Sequence, residues 1–355
     1  MDMKIFTKTQ LGLIFLAVAC LIGVVTSIIV NSLITNQIIF EAQERVKEDL
    51  NTARYVYASK VREIDRAIRW TAIRHVLKKG LQEKNLSSIR DELEGLMAEE
   101  GLDFLTLANR NGVVLFRFHN PPVSGDSVLA DPFIKIALEK KAISGPQVLS
   151  GDELSKEGKS LTQKAVIQSI PVPREKPTRK IEETSGMVLK SAYPILDFNG
   201  EVIGVLTGGV LLNRDYEMVD RIKNIVFKDA QYKGKEIGTA TIFMGDLRIS
   251  TNVMDREGNR AIGTRAMQEV QEQVLEKGLP WIQRAFVVDD WYITAYEPIR
   301  DIQDKIVGML YVGMLESKNA LMKERLILLF FLFSMSGMLI ALAISFFLSW
   351  KIFKR

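Results

Sequence analysis

Two stretches of the chain carry no charge: Leu11 to Thr35 and Leu326 to Trp350, twenty-five residues each. Either is long enough for a bilayer-spanning helix and too long for an ordinary buried core helix. Lys4 and Lys8 precede the first run, and Lys351, Lys354 and Arg355 follow the second. The positive-inside rule then places both ends in the cytoplasm and residues 36–325 on the far side of the membrane. A cleaved signal peptide has a shorter apolar core and a small-residue cleavage site. Ala17-Val18-Ala19-Cys20 lacks the leading Leu of a lipoprotein box, and the apolar run continues past the cysteine. An uncleaved span over 11–35 is therefore expected, after a short cytoplasmic segment at 1–10.

Between the runs the pattern changes twice. From Asn36, apolar residues return mostly in steps of three and four (Ala42, Val46, Leu50, Ala53, Tyr57, Val61, Ile64, Ile68), with neither Pro nor Gly before Gly80. That spacing predicts an amphipathic stalk helix over 36–80, reaching roughly 60 Å at 1.5 Å per residue. Its stripe needs a cover, either another domain or the same helix of a partner chain. A further helix is expected from Leu86 to Glu100. Strands begin at Phe104, and Asn111-Gly112 is a hairpin signal leading into Val113–His119. A short helix is expected from Pro132 to Lys140. Residues 150–186 form a long polar excursion, mobile in part. Strands resume at Gly186–Ile195 and Glu201–Leu212.

The second half repeats the first. Pro194-Ile195, Val202–Leu206 and Gly209 recur as Pro298-Ile299, Ile306–Leu310 and Gly313, at an offset of 104 residues. Leu115–His119 is answered loosely by Asp246–Ser250, and Gly125-Asp126 by Gly263-Thr264. A repeat of this length reads as two copies of one supersecondary unit, each a hairpin, a crossing helix and three further strands. The fold class is α+β: a long N-terminal helix followed by two antiparallel-sheet domains, flanked by two transmembrane helices. The expected boundaries are 81–215 for the membrane-distal domain and 216–318 for the membrane-proximal one. Residues 319–350 make the helix entering the second span at 326–350, and 351–355 begin a cytoplasmic linker.

The residues that punctuate this plan resemble a known family. Gly186–Ile195 with Gly204-Val205-Leu206-Thr207-Gly208-Gly209, Gly238–Phe243, Arg248–Val253, Arg260–Arg265, Trp291–Ile299 and Gly308–Gly313 together look like the extracytoplasmic double Cache sensor of bacterial transmembrane receptors, a PAS-like fold. The resemblance is strongest over 186–316 and weak over 36–100 and 150–185. It implies an inner-membrane receptor with a periplasmic sensor, a small-molecule ligand held in the distal domain, a parallel homodimer and a cytoplasmic output. The output expected is a histidine kinase of a two-component system, reached through a linker of the HAMP type. A chemoreceptor, a cyclic-dinucleotide enzyme, or a complete membrane-tethered binding protein acting through a separate partner are the alternatives.

Composition narrows the chemistry. A net charge of +4, with no basic run, argues against nucleic acid. One cysteine excludes an intramolecular disulfide, and two histidines make a zinc site implausible. No metal or cofactor is expected. Catalytic patterns are lacking: Gly158-Lys159-Ser160 has Glu153 where a P-loop needs its first Gly, and no Gly-x-Ser-x-Gly elbow or His-Glu-x-x-His helix occurs. His75 sits in the stalk pattern and reads as structural.

Arg117 and His119, two apart on one strand, share a face by alternation and would suit a carboxylate. The resemblance adds Lys190, where citrate-type sensors place a cationic ligand residue, with Tyr193 and Asp126 completing the wall. The plainer reading has Arg117 paired with an acid at the core edge and His119 capping the Asn120-Pro121 turn. In the second domain, Arg248, Arg265, Trp291 and Tyr296 outline a possible second pocket. There the aromatics also suit a core, and the arginines suit partners among Asp255, Glu257 and Asp289.

Overall fold

The computed structural model describes residues 2–83, 85, 89, 90, 93, 95, 97, 99–177, 181–228, 231, 232 and 235–353. These divide into two compact units, Arg45–Leu315 and the paired ends Met1–Glu44 with Glu316–Arg355.

Helix α1 runs from Asp2 to Ala72. The stalk is expected to reach Gly80, but it ends at Ala72. Arg74 takes an extended backbone (φ −61°, ψ 137°), and a separate helix, α2 (His75–Gln82), follows. Only after this break are Leu77 and Gly80 buried, with Gly80 so near Ile89 that a Cβ would lie 2.5 Å from it. The helix expected at Leu86–Glu100 falls largely outside the described residues; of those described, Ile89, Leu93 and Met97 are helical and buried.

The first sheet is built from β1 (Phe104–Asn109), β2 (Val114–Arg117), helix α3 (Pro132–Leu138) and β3 (Ile143–Leu149). Helices α4 (Gly151–Glu157) and α5 (Lys159–Ala165) come next, then the two-residue strands β4 (Ile167–Gln168) and β5 (Glu182–Glu183). Strands β6 (Gly186–Leu196) and β7 (Val202–Leu211) close the sheet in the order β2-β1-β7-β6-β3.

Helix α6 (Glu217–Phe227) and the short pair β8 (Gln231–Tyr232) and β9 (Lys235–Glu236) lead to the second sheet. It contains β10 (Gly238–Met244), β11 (Leu247–Thr251), α7 (Gln268–Gln271, continued by a π turn at Glu272–Glu276), β12 (Trp281–Val287), β13 (Asp290–Arg300) and β14 (Ile306–Leu315). Its order, β11-β10-β14-β13-β12, is the first order over again.

The offset of 104 residues survives as backbone register. Pro194 pairs with Val205 and Ile195 with Gly204, while Pro298 pairs with Met309 and Ile299 with Gly308. Each pair of strands carries its bulge at the same place, after Ile195 and after Ile299. In the hairpins the register corrects the loose alignment of Leu115–His119 with Asp246–Ser250. Thr106 faces Arg117 in the first sheet and its counterpart Thr241 faces Thr251 in the second, so Arg117 matches Thr251 rather than Arg248.

The amphipathic stripe of α1 is covered within the chain: Val46, Leu50, Ala53, Ile64 and Ile68 are buried. Asp65 receives a hydrogen bond from Ser191 on β6, Arg69 lies over the Tyr193 ring, and Arg54 forks onto Glu297 of β13. Tyr193 and Glu297 are equivalent positions in the two registers, so one helix docks the same site on both sheets.

The excursion at 150–186 is expected to be mobile in part, yet its described residues are held. The Ile170 amide donates to the Gly263 carbonyl, Arg265 donates to the Ser169 hydroxyl, Arg174 lies over the Trp291 ring and Lys176 pairs with Glu276. This strap runs from the helices beside the first sheet onto the second.

Helices α1 and α8 (Ser317–Phe353) each contain a segment long and apolar enough to cross a membrane, with mean hydropathy 1.6 and 2.6 over the best stretch and none of it buried.

At the equivalent glycines Gly204 and Gly308 a neighbouring strand comes close. A Cβ would sit 2.7 Å from the Ala108 carbonyl at Gly204 and 2.0 Å from the Phe243 carbonyl at Gly308. Backbone cannot yield as a flexible side chain can. Gly308→Ala is expected to cost about 1–3 kcal/mol. Melting curves check this: Gly308→Ala should melt several degrees below the native chain, and Gly204→Ala should lose less.

Candidate ligand cavity

A cavity of about 180 Å³ opens beside the first sheet, between β1, β2 and β6 and the segment carrying α3 and α4. Three of the side chains singled out from the sequence, Arg117, Asp126 and Lys190, line it. Strand alternation explains the convergence. Thr106 on β1 and Arg117 at the end of β2 are register partners, and Lys190 and Thr207 lie on the same side of β6 and β7 as α3.

Arg117 is almost completely buried, at 1 % exposure, and its guanidinium is fully engaged. Two nitrogens grip Asp126 at 2.6 and 3.0 Å, Nε donates to Glu157 at 3.1 Å, and Nη1 also donates to the Val123 carbonyl at 2.9 Å. Hydrogen-bonded to Arg117, the Asp126 carboxyl is held below the ordinary carboxylate range. Glu157 also accepts from the Thr106 hydroxyl. Lys190 donates to Asp131 and to the Gln147 side-chain oxygen, with the Phe133 ring 5.3 Å from its ammonium.

Asp131 does two things at once. One oxygen caps α3 by accepting from the Phe133 amide, and the other takes Lys190. Its cap-then-Pro132 signature is readable in sequence. Glu157 has no such signal, because it comes from the polar excursion. Around the cavity, Asp126, Asp131, Glu153 and Glu157 face Arg117, Lys156 and Lys190, four carboxylates to three cations. The site is therefore one of mixed charge with both deep cations already paired, rather than an open cationic cradle.

His119 and Tyr193 do not line this cavity. Strand β2 ends at Arg117, so alternation does not extend to His119, which stands exposed beyond the strand. Tyr193 is an odd number of residues from Lys190 on β6 and so faces Arg69 of α1 on the opposite side. His75 opens α2, its ring 5.8 Å from that of Phe198.

The second sheet closes the corresponding space. In register, Ala192 and Thr207 of the first sheet become Tyr296 and Tyr311, whose rings pack 4.6 Å apart in the core. Arg248 lies buried beneath them, Nε donating to Thr264 and Nη1 to Thr241 and Thr251, with the Phe243 ring 4.8 Å away. Burial pushes its guanidinium pKa down, and burial pushes the Tyr311 hydroxyl up to about 12. No carboxylate pairs with Arg248 among the described residues. Arg265 pairs with Asp246, and Trp291 is flanked by Arg284 at 3.9 Å and Arg174 at 5.1 Å. None of Arg248, Arg265, Trp291 and Tyr296 lines the cavity of about 530 Å³ that opens at the end of this sheet.

Comparison with known proteins agrees with the second half of this arrangement. Residues 210–325 match the family model described as Single cache domain 3. This part of the chain, β10 to β14 with its flanks, is similar to a Cache domain. No curated protein matches the chain. Among solved structures, the chain is similar to the periplasmic domain of Vibrio cholerae LuxQ, with 10 % identity over 76 % of this chain and 100 % of that one, at a TM-score of 0.43. It is also similar to the sensor domain of the V. cholerae histidine kinase DctB, with 12 % identity over 77 % and 97 % at 0.44. A third is the sensory domain of the Campylobacter jejuni chemoreceptor Tlp3 with isoleucine bound, with 10 % identity over 81 % and 96 % at 0.40.

The Arg117–Asp126 pair predicts an acid dependence. The folded carboxyl lies below its unfolded value, so its contribution to stability is complete above pH ~4 and is lost as pH falls through the lower folded value. Asp126→Asn should therefore flatten the decline in melting temperature below pH ~4. An unchanged slope in that variant would show the pair is not the source.

Proposed function

We propose that the chain is the ligand-sensing input half of a transmembrane receptor, with two Cache domains outside the membrane and the ligand held in the first. The observation that carries this is the mixed-charge cavity in which Arg117 and Lys190 are each held by a carboxylate that faces the same space. A ligand carboxylate competes there with Asp131 for Lys190, and a ligand ammonium engages the acid released. The ligand class that fits is a small zwitterionic metabolite; a simple dicarboxylate would leave Asp126, Asp131 and Glu157 facing added negative charge.

Binding at this cavity bears on α4, which supplies Glu153, Lys156 and Glu157. The strap that follows α4 and α5 is bonded to the second sheet at Gly263, Arg265 and Trp291. The last strand of that sheet ends at Leu315, and α8 starts at Ser317. Strap, second sheet and α8 form the transmission route we propose, driven only as far as the ligand prefers one arrangement over the other. Residues 36–325 are placed outside the cytoplasm in this reading, with α1 and α8 as the two spans of an inner-membrane protein.

The output proposed is a histidine kinase of a two-component system, in cis or in trans, and the chain itself carries no catalytic role. A parallel homodimer belongs to the same proposal. The stripe of α1 is covered internally and does not require it, but Tyr55 and Trp70 stand 69 % and 62 % exposed on that helix and offer a partner surface.

The ligand assignment is tested on the full chain in nanodiscs by thermal shift against amino acids, mono- and dicarboxylates and amines. A zwitterion should raise the melting temperature, and Lys190→Met should weaken its apparent affinity at least tenfold. A hit that shifts Lys190→Met and Glu157→Gln as much as the native chain places the ligand elsewhere.

A further inference from the structure

A second, larger cavity of about 530 Å³ opens at the far end of the second sheet, where the β8–β9 pair, the loop after β11 and the β12–β13 turn meet. It is separate from the space filled by Tyr296 and Tyr311, and neither of these residues lines it. Among the described residues its charged lining is Glu236, Asp255, Asp289 and Asp290 with Arg256. Some of this acid has local employment. Asp255 accepts from the Glu257 and Asn259 amides of its own turn, Arg256 approaches Asp289 at 3.6 Å, and one oxygen of Glu236 takes Lys223.

Two buried polar atoms at the cavity are left over. Asn252 is 2 % exposed; its oxygen accepts from the Ala240 amide at 2.7 Å, which fixes the orientation of the side chain and leaves its NH₂ group without a hydrogen-bond partner among the described residues. The second oxygen of Glu236 is also buried and unpartnered among the described residues. Buried polar groups in native proteins are satisfied with few exceptions. The residues that carry this unused donor and unused anionic acceptor, Asn252 and Glu236, both line one cavity, with Tyr292 forming part of the same wall. A bare cation answers Glu236 but not the Asn252 donor, and a neutral polyol answers the donor but not the Glu236 carboxylate.

We propose that this cavity binds a hydroxylated primary amine, its ammonium on Glu236 and the neighbouring carboxylates and a hydroxyl oxygen accepting from Asn252. The chain would then carry a second ligand site, in the half whose sheet-centred pocket is closed. It differs from the first in charge and in ligand class.

Glucosamine is the probe, with glucose as its uncharged counterpart, titrated by calorimetry onto the full chain in nanodiscs at low ionic strength. Glucosamine should bind saturably, at least tenfold more tightly than glucose and more weakly as salt is raised. Glu236→Gln keeps the oxygen that holds Lys223 and should weaken glucosamine at least tenfold. Tyr292→Phe keeps the buried ring and serves as a second variant, expected to weaken binding severalfold. Lys190→Met, in the first cavity, should leave glucosamine binding unchanged, so failure here and failure of the zwitterion site are read separately. Absence of saturable glucosamine binding, equal binding of glucose, or unchanged binding by both Glu236→Gln and Tyr292→Phe overturns the proposal.

Discussion

One helix serves two sheets, and the rest of the Arg45–Leu315 unit depends on that. The apolar stripe of α1 from Val46 to Ala72 is buried, and its arginines meet equivalent positions on the two sheets, Arg69 at Tyr193 and Arg54 at Glu297. Fifteen residues separate those two contacts, about 22 Å along the helix axis. The repeat spacing of the sheets must match that distance, or one copy loses its cover. Burial supplies the stability, while the two polar contacts set the axial register at which burial is available.

This constraint shows which parts of the structure could be read in the sequence. Period-three-to-four spacing in α1 and the 104-residue offset both express backbone geometry that side chains must obey, so both are visible along the chain. The two glycine-marked strand pairs are legible for the same reason: Gly204 and Gly308 sit where a neighbouring carbonyl leaves no room. Arg117, Asp126 and Lys190 line one cavity; the resemblance points to Lys190, while alternation along β2 speaks only to Arg117.

What could not be read depends on reach and on distant partners. Arg117 and Arg248 look like counterparts along the chain, yet the register sets them three residues apart, and long side chains bring both guanidiniums beneath their sheets regardless. His119 fails for a simpler reason, because β2 stops before it. The strap at 150–186 reads as polar and loose because its own composition buries little. Its order comes from backbone and side-chain bonds to Gly263, Arg265 and Trp291, roughly a hundred residues away, which no local pattern announces. Glu157, which completes the Arg117 cluster, is hidden by the same polar surroundings.

The two tyrosines under the second sheet have a consequence for how such a chain can change. Both halves bury a guanidinium beneath the same strands, and both have the same topology, register and bulges. At two equivalent positions the halves differ in volume, Ala192 and Thr207 in one, Tyr296 and Tyr311 in the other, and the two rings fill space beneath the second sheet. The shared backbone accommodates either choice. A scaffold of this kind can vary the space beneath each sheet independently, through side chains alone.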